Sequence, residues 1–278
     1  MIFVADKGRL CNNILQYGHL YAWGREHGRS TMSMRFAHKY PEFYISHTCY
    51  HNTMVYVLAK LAAKLKLIPS VVFDDIHSDY ASEQQVMLSH RHVLAKGWCV
   101  RFPDLFEKYK SEILQLFAFS PAVQRNVAEK MWGKRGDTLR LGIHVRRGDY
   151  DRWCGGRYYY SDEQYVEVIR QFLLFFSGKK TDIYICGNDP ELNRDYYSRL
   201  LSGEAQVCFP DGSAAEDLCL LSQCDYIIGP PSTFTLVASM YNDALLYWIV
   251  DPQNHLQPSS FKTFNYLFRI FDDLYVNS

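Results

Sequence analysis

The sequence predicts an α/β protein built from two doubly wound, mainly parallel sheets. Three observations predict it. Short apolar runs recur along the chain, separated by stretches with helical apolar spacing and crossover length. The polar stretch GKRGD at 133–137 divides these alternations into two halves, 1–135 and 136–278. Polar clusters follow the apolar runs at Asp6 to Asn13, Arg146 to Asp149, Asn188–Asp189 and Pro230 to Thr233. In open parallel sheets, ligands sit beyond the carboxyl ends of the strands. Two such sheets would face each other across a cleft; one sheet in a single larger domain is the alternative.

In chain order, Ile2 to Ala5 reads as a first buried strand, followed by a loop to Asn13 and a helix over 14–28 that Gly28 stops. MVYVLAKLAAKLKL at 54–67 has helical spacing and Pro69 ends it; VVFDD at 71–75 and HVLAKGWCV at 92–100 read as strands. Residues 104–131 read as helix with a break near Ser120–Pro121. LRLGIHV at 139–145 is a strand with good apolar content, and a helix over 161–176 follows. Ser161 and Gln164 there have capping-box spacing, and Tyr165, Ile169, Phe172 and Phe176 share one face. Strands at 181–189, 205–210, 225–229 and 245–250 alternate with helices at 190–201, at 214–223 and after Ser232. FKTFNYLFRIFDDLYV at 261–276 is an aromatic, amphipathic terminal segment, expected to pack back on the body, with membrane attachment as the alternative.

At 278 residues the chain can bury a large core. Its 30 basic and 30 acidic side chains cancel, which argues against a nucleic-acid-coating surface and leaves room for a local basic pocket. The eight cysteines include no CxxC pair, so they are expected to be reduced core thiols rather than zinc ligands. No Asp-x-Asp ends a strand to chelate a nucleotide-bound metal, and no metal is expected. The apolar run at the start is too short for a signal sequence or a membrane span; a cytoplasmic protein, or one peripheral at the membrane's inner face, is expected, and a trimmed secretory-pathway enzyme would look the same.

The chemistry concentrates in HVRRGDY at 144–150. At a period of two, His144 and Arg146 share a face while Arg147 points the other way. Guanidinium forks match phosphate oxygens; structural ion pairs, including one to Asp149, are the competing account. GRLCNN at 8–13 occupies the place of a dinucleotide loop but lacks GxGxxG and the P-loop lysine, so neither familiar nucleotide site is expected. Asn12 and Asn13 could cap the next helix or donate to a ligand. Asp217 is either a favourable first-turn charge or an acceptor for a base edge. Ser232 and Thr233 stand at a helix start, as caps or as phosphate contacts. His19, Asp6 and Glu26 are the groups available as a general base, and the sequence does not choose among them.

HVRRGDY combined with EDLCLLSQCDYIIGPPSTF at 216–234 resembles the bacterial α-1,2-fucosyltransferase family and its α-1,6- and protein O-fucosyltransferase relatives. GRLCNNILQYGHLYAWGREHG at 8–28 is similar to that family's opening segment. The resemblance implies a GT-B glycosyltransferase with two Rossmann-like domains, inverting and metal-independent, acting in bacterial surface glycan synthesis. It implies GDP-fucose on the C-terminal domain and an oligosaccharide or lipid-linked glycan acceptor on the N-terminal one. Position by position, it implies that Arg146 is the catalytic contact to the diphosphate, with Arg147 in support. His144 would lie by the nucleotide, Asp217 would read guanine, Ser232 and Thr233 would reach the phosphates, and Asn12 would serve the opening loop. The chain departs from the family pattern at Cys11, where glycine is common, and at GPPSTFTLVA, where Pro230 and Pro231 remove two backbone donors. Another GDP-sugar transferase and a catalytically inactive nucleotide- or glycan-binding protein are the rival readings.

Overall fold

The computed structural model describes residues 1–48, 51–75, 78–132, 136, 138–187 and 189–273. Most of the expected linker, together with Asn188, Cys49 and the last residues of the aromatic terminal segment, lies outside them. The chain divides into two compact units, Met1–Ala122 and Val123–Ser278. The division falls ahead of the expected 135/136 boundary, because the helix at 121–130 packs with the second unit through Lys130 and Asn126, which bind Glu216.

The first unit comprises β1 (Ile2–Val4), α1 (Leu10–Glu26), β2 (Thr31–Ser33), α2 (Phe36–Lys39), α3 (Thr53–Lys64), β3 (Ser70–Val72), α4 (Ala81–Ser89), β4 (Val93–Lys96), α5 (Pro103–Lys108) and α6 (Lys110–Leu116). Its sheet has the order β2-β1-β4-β3, and every pairing is parallel. β2 had no signal in the sequence reading, since three residues are too few to display a period. The helical stretch expected over 104–131 has its expected break before Pro121 and a second, unexpected one at Tyr109. Tyr109 leaves helical geometry between α5 and α6, and residues 117–120 separate α6 from α7 (Pro121–Lys130). The expected strand at 92–100 stops at Gly97, whose φ of +89° ends extended pairing.

The second unit continues with β5 (Leu139–Val145), α8 (Asp162–Phe175), β6 (Thr181–Gly187), α9 (Arg194–Leu201), β7 (Gln206–Cys208), α10 (Ala214–Leu221), β8 (Tyr226–Gly229), α11 (Thr233–Asn242), β9 (Leu245–Trp248) and α12 (Phe264–Ile270). Its parallel sheet has the order β7-β6-β5-β8-β9. The capping box expected at Ser161 is formed: its hydroxyl accepts from Gln164 N while Gln164 bonds back to Ser161 N. α9 starts later than expected, at Arg194, where Asn193 supplies the cap.

Strand alternation sorts this unit into layers. Leu141, Ile143 and Val145 of β5 join Ile183, Ile185 and Ile228 in a core with Tyr165, Ile169 and Phe172 of α8 and Tyr197 of α9. Each such side chain contributes about 1.5–3 kcal/mol by its burial. The intervening positions face α10 and α11: a Cβ on Gly142 would meet Leu221 and Cys224, and His144 stacks on Phe234. A sheet with helices on both faces therefore delivers His144 and Arg146 toward α11 and leaves Arg147 to the α8 side. α12 packs on α11 through buried Phe264, Leu267 and Phe268, with the Phe271 ring tilted against that of Trp248 at 5.6 Å. The seven described cysteines are free thiols.

Candidate active site

β5 is the first strand of its sheet and sits in the middle, with β6 and β7 added on one side and β8 and β9 on the other. The order reverses between β5 and β8, and that switch point is where doubly wound sheets bind ligands. The residues leaving β5 are Arg146 and Arg147, and those leaving β8 are Pro230 to Thr233.

The Arg146 side chain is 15% exposed. Its Nη2 donates to both oxygens of Asp149, at 2.9 and 3.0 Å, and its guanidinium lies 5.0 Å above the Tyr150 ring. Its Nε is buried without a hydrogen-bond partner. Tyr150 in turn donates its hydroxyl to Pro231 O at 2.7 Å, which ties the arginine loop to the start of α11. The Tyr165 hydroxyl closes the strand end, accepting from Arg146 N at 3.3 Å and donating to His144 O at 3.4 Å.

Arg147 is differently used. Its Nη1 donates to Asp189 at 2.9 Å, its Nη2 to Asp162, and its Nε to Tyr160 O at 3.2 Å. Burial works against its charge, but the two carboxylates prevail and hold its pKa above the ordinary value. A fork filled by two acids is an anchor between β5, α8 and the loop after β6. Of the two accounts of the arginines, the structural ion pair describes Arg147, while Asp149 pairs with Arg146.

His144 is buried, its ring 4.7 Å from that of Phe234, and its Nδ1 has no partner. Burial, assisted by the Arg146 charge, depresses its pKa to about 3, so the imidazole is neutral. Of the two readings of Ser232, capping describes its hydroxyl, which accepts from Thr235 N at 3.2 Å and lies 3.0 Å from Thr235 Oγ1. Trp248 Nε1 donates to the same threonine at 2.9 Å, locking the cap. Thr233 is the first helical residue, where polarised backbone amides favour an anion.

Asp217 lies in the first turn of α10, behind a capping box made by Ser213 and Glu216. Glu216 is committed to Lys130 and Asn126, whereas Asp217 turns to the Cys186 thiol. Cys186 pairs in register with His144, so Asp217 stands beside the carboxyl-terminal half of the sheet. Burial raises the Asp217 carboxyl to about 7. Arg146, His144, Asp217 and the α11 start thus gather at one end of one sheet.

In the first unit the corresponding switch point lies between β1 and β4. Gln16 of α1, buried, donates to Ala5 O at 2.9 Å and Gly97 O at 2.8 Å, pinning both strand ends. Asn12 and Asn13 lie inside α1, whose N-cap is Arg9, so neither is the cap. Asn13 ties the loop instead, accepting from Lys7 N and donating to Arg9 O. Asn12 packs against Gly8, on which a Cβ would come within 2.5 Å of its amide. Asp6 accepts from Ser33 Oγ and Arg35 N, both at 3.1 Å, its other oxygen is buried without a partner, and burial raises its pKa. His19 is buried and accepts from Phe102 N at 3.0 Å, while Glu26 is held by Lys108 and Tyr109. Of the three groups considered as a base, only Asp6 stands at a strand end.

Tyr150, Tyr165 and Asp162 carry no site role in the sequence analysis, whereas Asp189 stands there among the polar strand ends and Phe234 in the 216–234 segment. Tyr150 belongs to HVRRGDY and was within reach of the motif. Tyr165 belongs by its spacing to the apolar face of α8, where its ring lies in the core, and nothing in sequence marks where its hydroxyl ends.

A doubly wound unit with an arginine at its switch point, next to a capped helix start, is a place where a parallel α/β sheet can take an anionic ligand. The chain belongs to glycosyl transferase family 11, whose sequence model matches residues 1–247. It is 26% identical to the galactoside 2-alpha-L-fucosyltransferase SEC1 of Bos taurus, over 84% of this chain and 62% of that protein. It is 24% identical to galactoside alpha-(1,2)-fucosyltransferase 2 of Sus scrofa, over 84% of this chain and 67% of that one. The chain thus spans only about two thirds of the length of these relatives. Among solved structures, a mutant of Arabidopsis thaliana FUT1 in complex with GDP aligns over 94% of this chain and 73% of that one, with TM-score 0.61 at 14% identity. The NodZ alpha-1,6-fucosyltransferase soaked with GDP-fucose aligns over 94% of this chain and 98% of that one, with TM-score 0.52 at 10% identity. The fold class is therefore that of the GT-B-type fucosyltransferases.

Proposed function

We propose that this chain is an inverting, metal-independent fucosyltransferase that moves L-fucose from GDP-fucose to a sugar hydroxyl, with α-1,2 linkage to a galactose-type acceptor. The observation that carries the reading is Arg146: a cation at the switch point, with a buried unpartnered Nε, tied through Tyr150 to the start of α11. Family membership and the names of the relatives support fucose transfer and the linkage, and the GDP-fucose soaked into NodZ supports the donor.

In this reaction the bond from fucose C1 to the β-phosphate oxygen breaks, and its electron pair leaves with GDP. A bond from C1 to the acceptor oxygen forms on the opposite face, and the proton of the acceptor hydroxyl passes to water as the bond forms. Negative charge grows on the departing diphosphate. A guanidinium fork and the positive end of a helix meet that charge without reorganising. Asp149, 47% exposed, is a readily exchanged partner for Arg146, since an ion pair open to water is worth little. In the same reading Asp217 accepts hydrogen bonds from the guanine edge, and neutral His144 with Phe234 forms an apolar floor.

Arg146→Ala is expected to slow single-turnover transfer at saturating GDP-fucose by about two to three powers of ten, with thermal unfolding unchanged. Arg146→Lys keeps the charge but loses the planar fork, and is expected to fall between the two. A folded Arg146→Ala protein that transfers at the parental rate would overturn the assignment. So would calorimetry in which UDP or NAD binds the parent in preference to GDP.

A further inference from the structure

The outer face of α3 breaks the ordinary pattern of a surface helix. Its inner face is accounted for: Val55, Ala59 and Ala63 pack with Phe3, Met32 and Leu94. The face turned away from that core should be polar. Instead Met54, Val57, Leu58, Leu61 and Leu65 form a helical stripe that continues to Leu67 in the following turn, with exposures from 49% at Leu61 to 74% at Met54. Single exposed apolar residues need no explanation, but six in one contiguous stripe mark a contact surface.

The charges around the stripe are of one sign. Lys60 and Lys64 flank it one turn apart, and Lys66 follows at the helix end, all three exposed. No Asp or Glu occurs between Glu42 and Asp74, in a chain whose overall charge is zero. A bare apolar stripe bordered by lysines, on a helix too short and too firmly packed to span a bilayer, has the make-up of an interfacial helix. Among the described residues no helix is long and apolar enough to cross a membrane. Lysine stems can lie along the apolar boundary while their ammonium groups meet anionic headgroups. The terminal aromatic segment does not compete for this role, because Phe264, Leu267, Phe268 and Phe271 are already buried.

We infer that α3 docks this chain on an anionic membrane surface, the leucine stripe entering the headgroup boundary and Lys60, Lys64 and Lys66 facing acidic lipid. This inference is independent of the donor assignment, since none of these residues belongs to the site described above.

Flotation of the purified chain with phosphatidylcholine vesicles, with and without about one third phosphatidylglycerol, tests it directly. The parent is expected to float with the anionic vesicles and much less with neutral ones, and salt should weaken the association. Leu58→Glu combined with Leu61→Glu is expected to abolish flotation. Lys60→Glu combined with Lys64→Glu is expected to remove the preference for anionic lipid. Both variants should keep the parental unfolding temperature and GDP affinity, because all four side chains are exposed. Failure of the parent to float, or equal flotation of the leucine variant, overturns the inference. A parent that ignores vesicles but dimerises through the stripe, becoming monomeric on Leu58→Glu in sedimentation, assigns this face to a second copy and overturns it equally.

Discussion

At the scale of single residues, two adjacent arginines do opposite work. Their spacing in HVRRGDY already implied different directions, and the structure gives each direction a consequence: Arg147 is spent on Asp162 and Asp189, while Arg146 keeps an unpartnered Nε. Asp217 offers a sharper test because its carboxyl is raised to about 7 by burial. A carboxylate accepts from a guanine edge with both oxygens, and a protonated one loses half of that capacity. GDP affinity is therefore expected to weaken as pH falls from 8 to 6, by up to about tenfold per pH unit below the pKa. The sign for stability is opposite. The folded pKa lies above the unfolded value, so ionising Asp217 penalises the fold as pH rises between the two. Asp217→Asn should flatten the pH profile of GDP binding in calorimetry, weaken binding at pH 8, and leave the melting temperature at pH 8 equal or raised. A pH profile identical to the parent's would remove Asp217 from guanine recognition.

At the scale of elements, the site depends on how closely α10 lies on β5. Gly142 permits that approach: a Cβ there would sit 2.6 Å from Leu221 Cδ2 and 3.1 Å from Cys224 Sγ. Gly142→Ala must push α10 outward or force both side chains from their rotamers, at a cost of about 1–3 kcal/mol. Denaturant unfolding should register that loss. GDP affinity should fall beyond what the stability change explains, because α10 carries Asp217. Unchanged unfolding would mean that the helix rides more loosely than this contact implies. The helix boundaries teach a related lesson. Ser161 and Gln164 identified the start of α8 because a capping box is local chemistry. Asn12 and Asn13 misdirected the start of α1, because Asn13 serves loop carbonyls and amides that only the folded loop brings near.

At the scale of the whole molecule, the proposed chemistry compensates the leaving charge with a fixed cation and a helix end. Transfer from GDP-fucose is accordingly expected to persist in excess EDTA, followed as fucosylated product by mass spectrometry. Loss of turnover on chelation, restored by magnesium or manganese, would show that Arg146 and α11 do not suffice.

The sequence by itself determined the α/β class, the recurrence of parallel strands and the family, because each rests on local periodicity or on motifs contiguous in the chain. It also located the strand end that bears Arg146 and, by a period of two, the divergence of Arg147. Tertiary structure alone decided the strand order that makes β5 and β8 neighbours, and hence the joining of Arg146 to Pro231 through Tyr150. It alone set the acids that consume Arg147, which lie 15 and 42 residues away along the chain. The reason is physical. Periodicity records which face of an element is buried, whereas hydrogen-bond partners and pKa values depend on distances between elements that no local pattern encodes. The same limit applies to α3: its spacing identified a helix, but only the packed sheet reveals that its second apolar face is left uncovered.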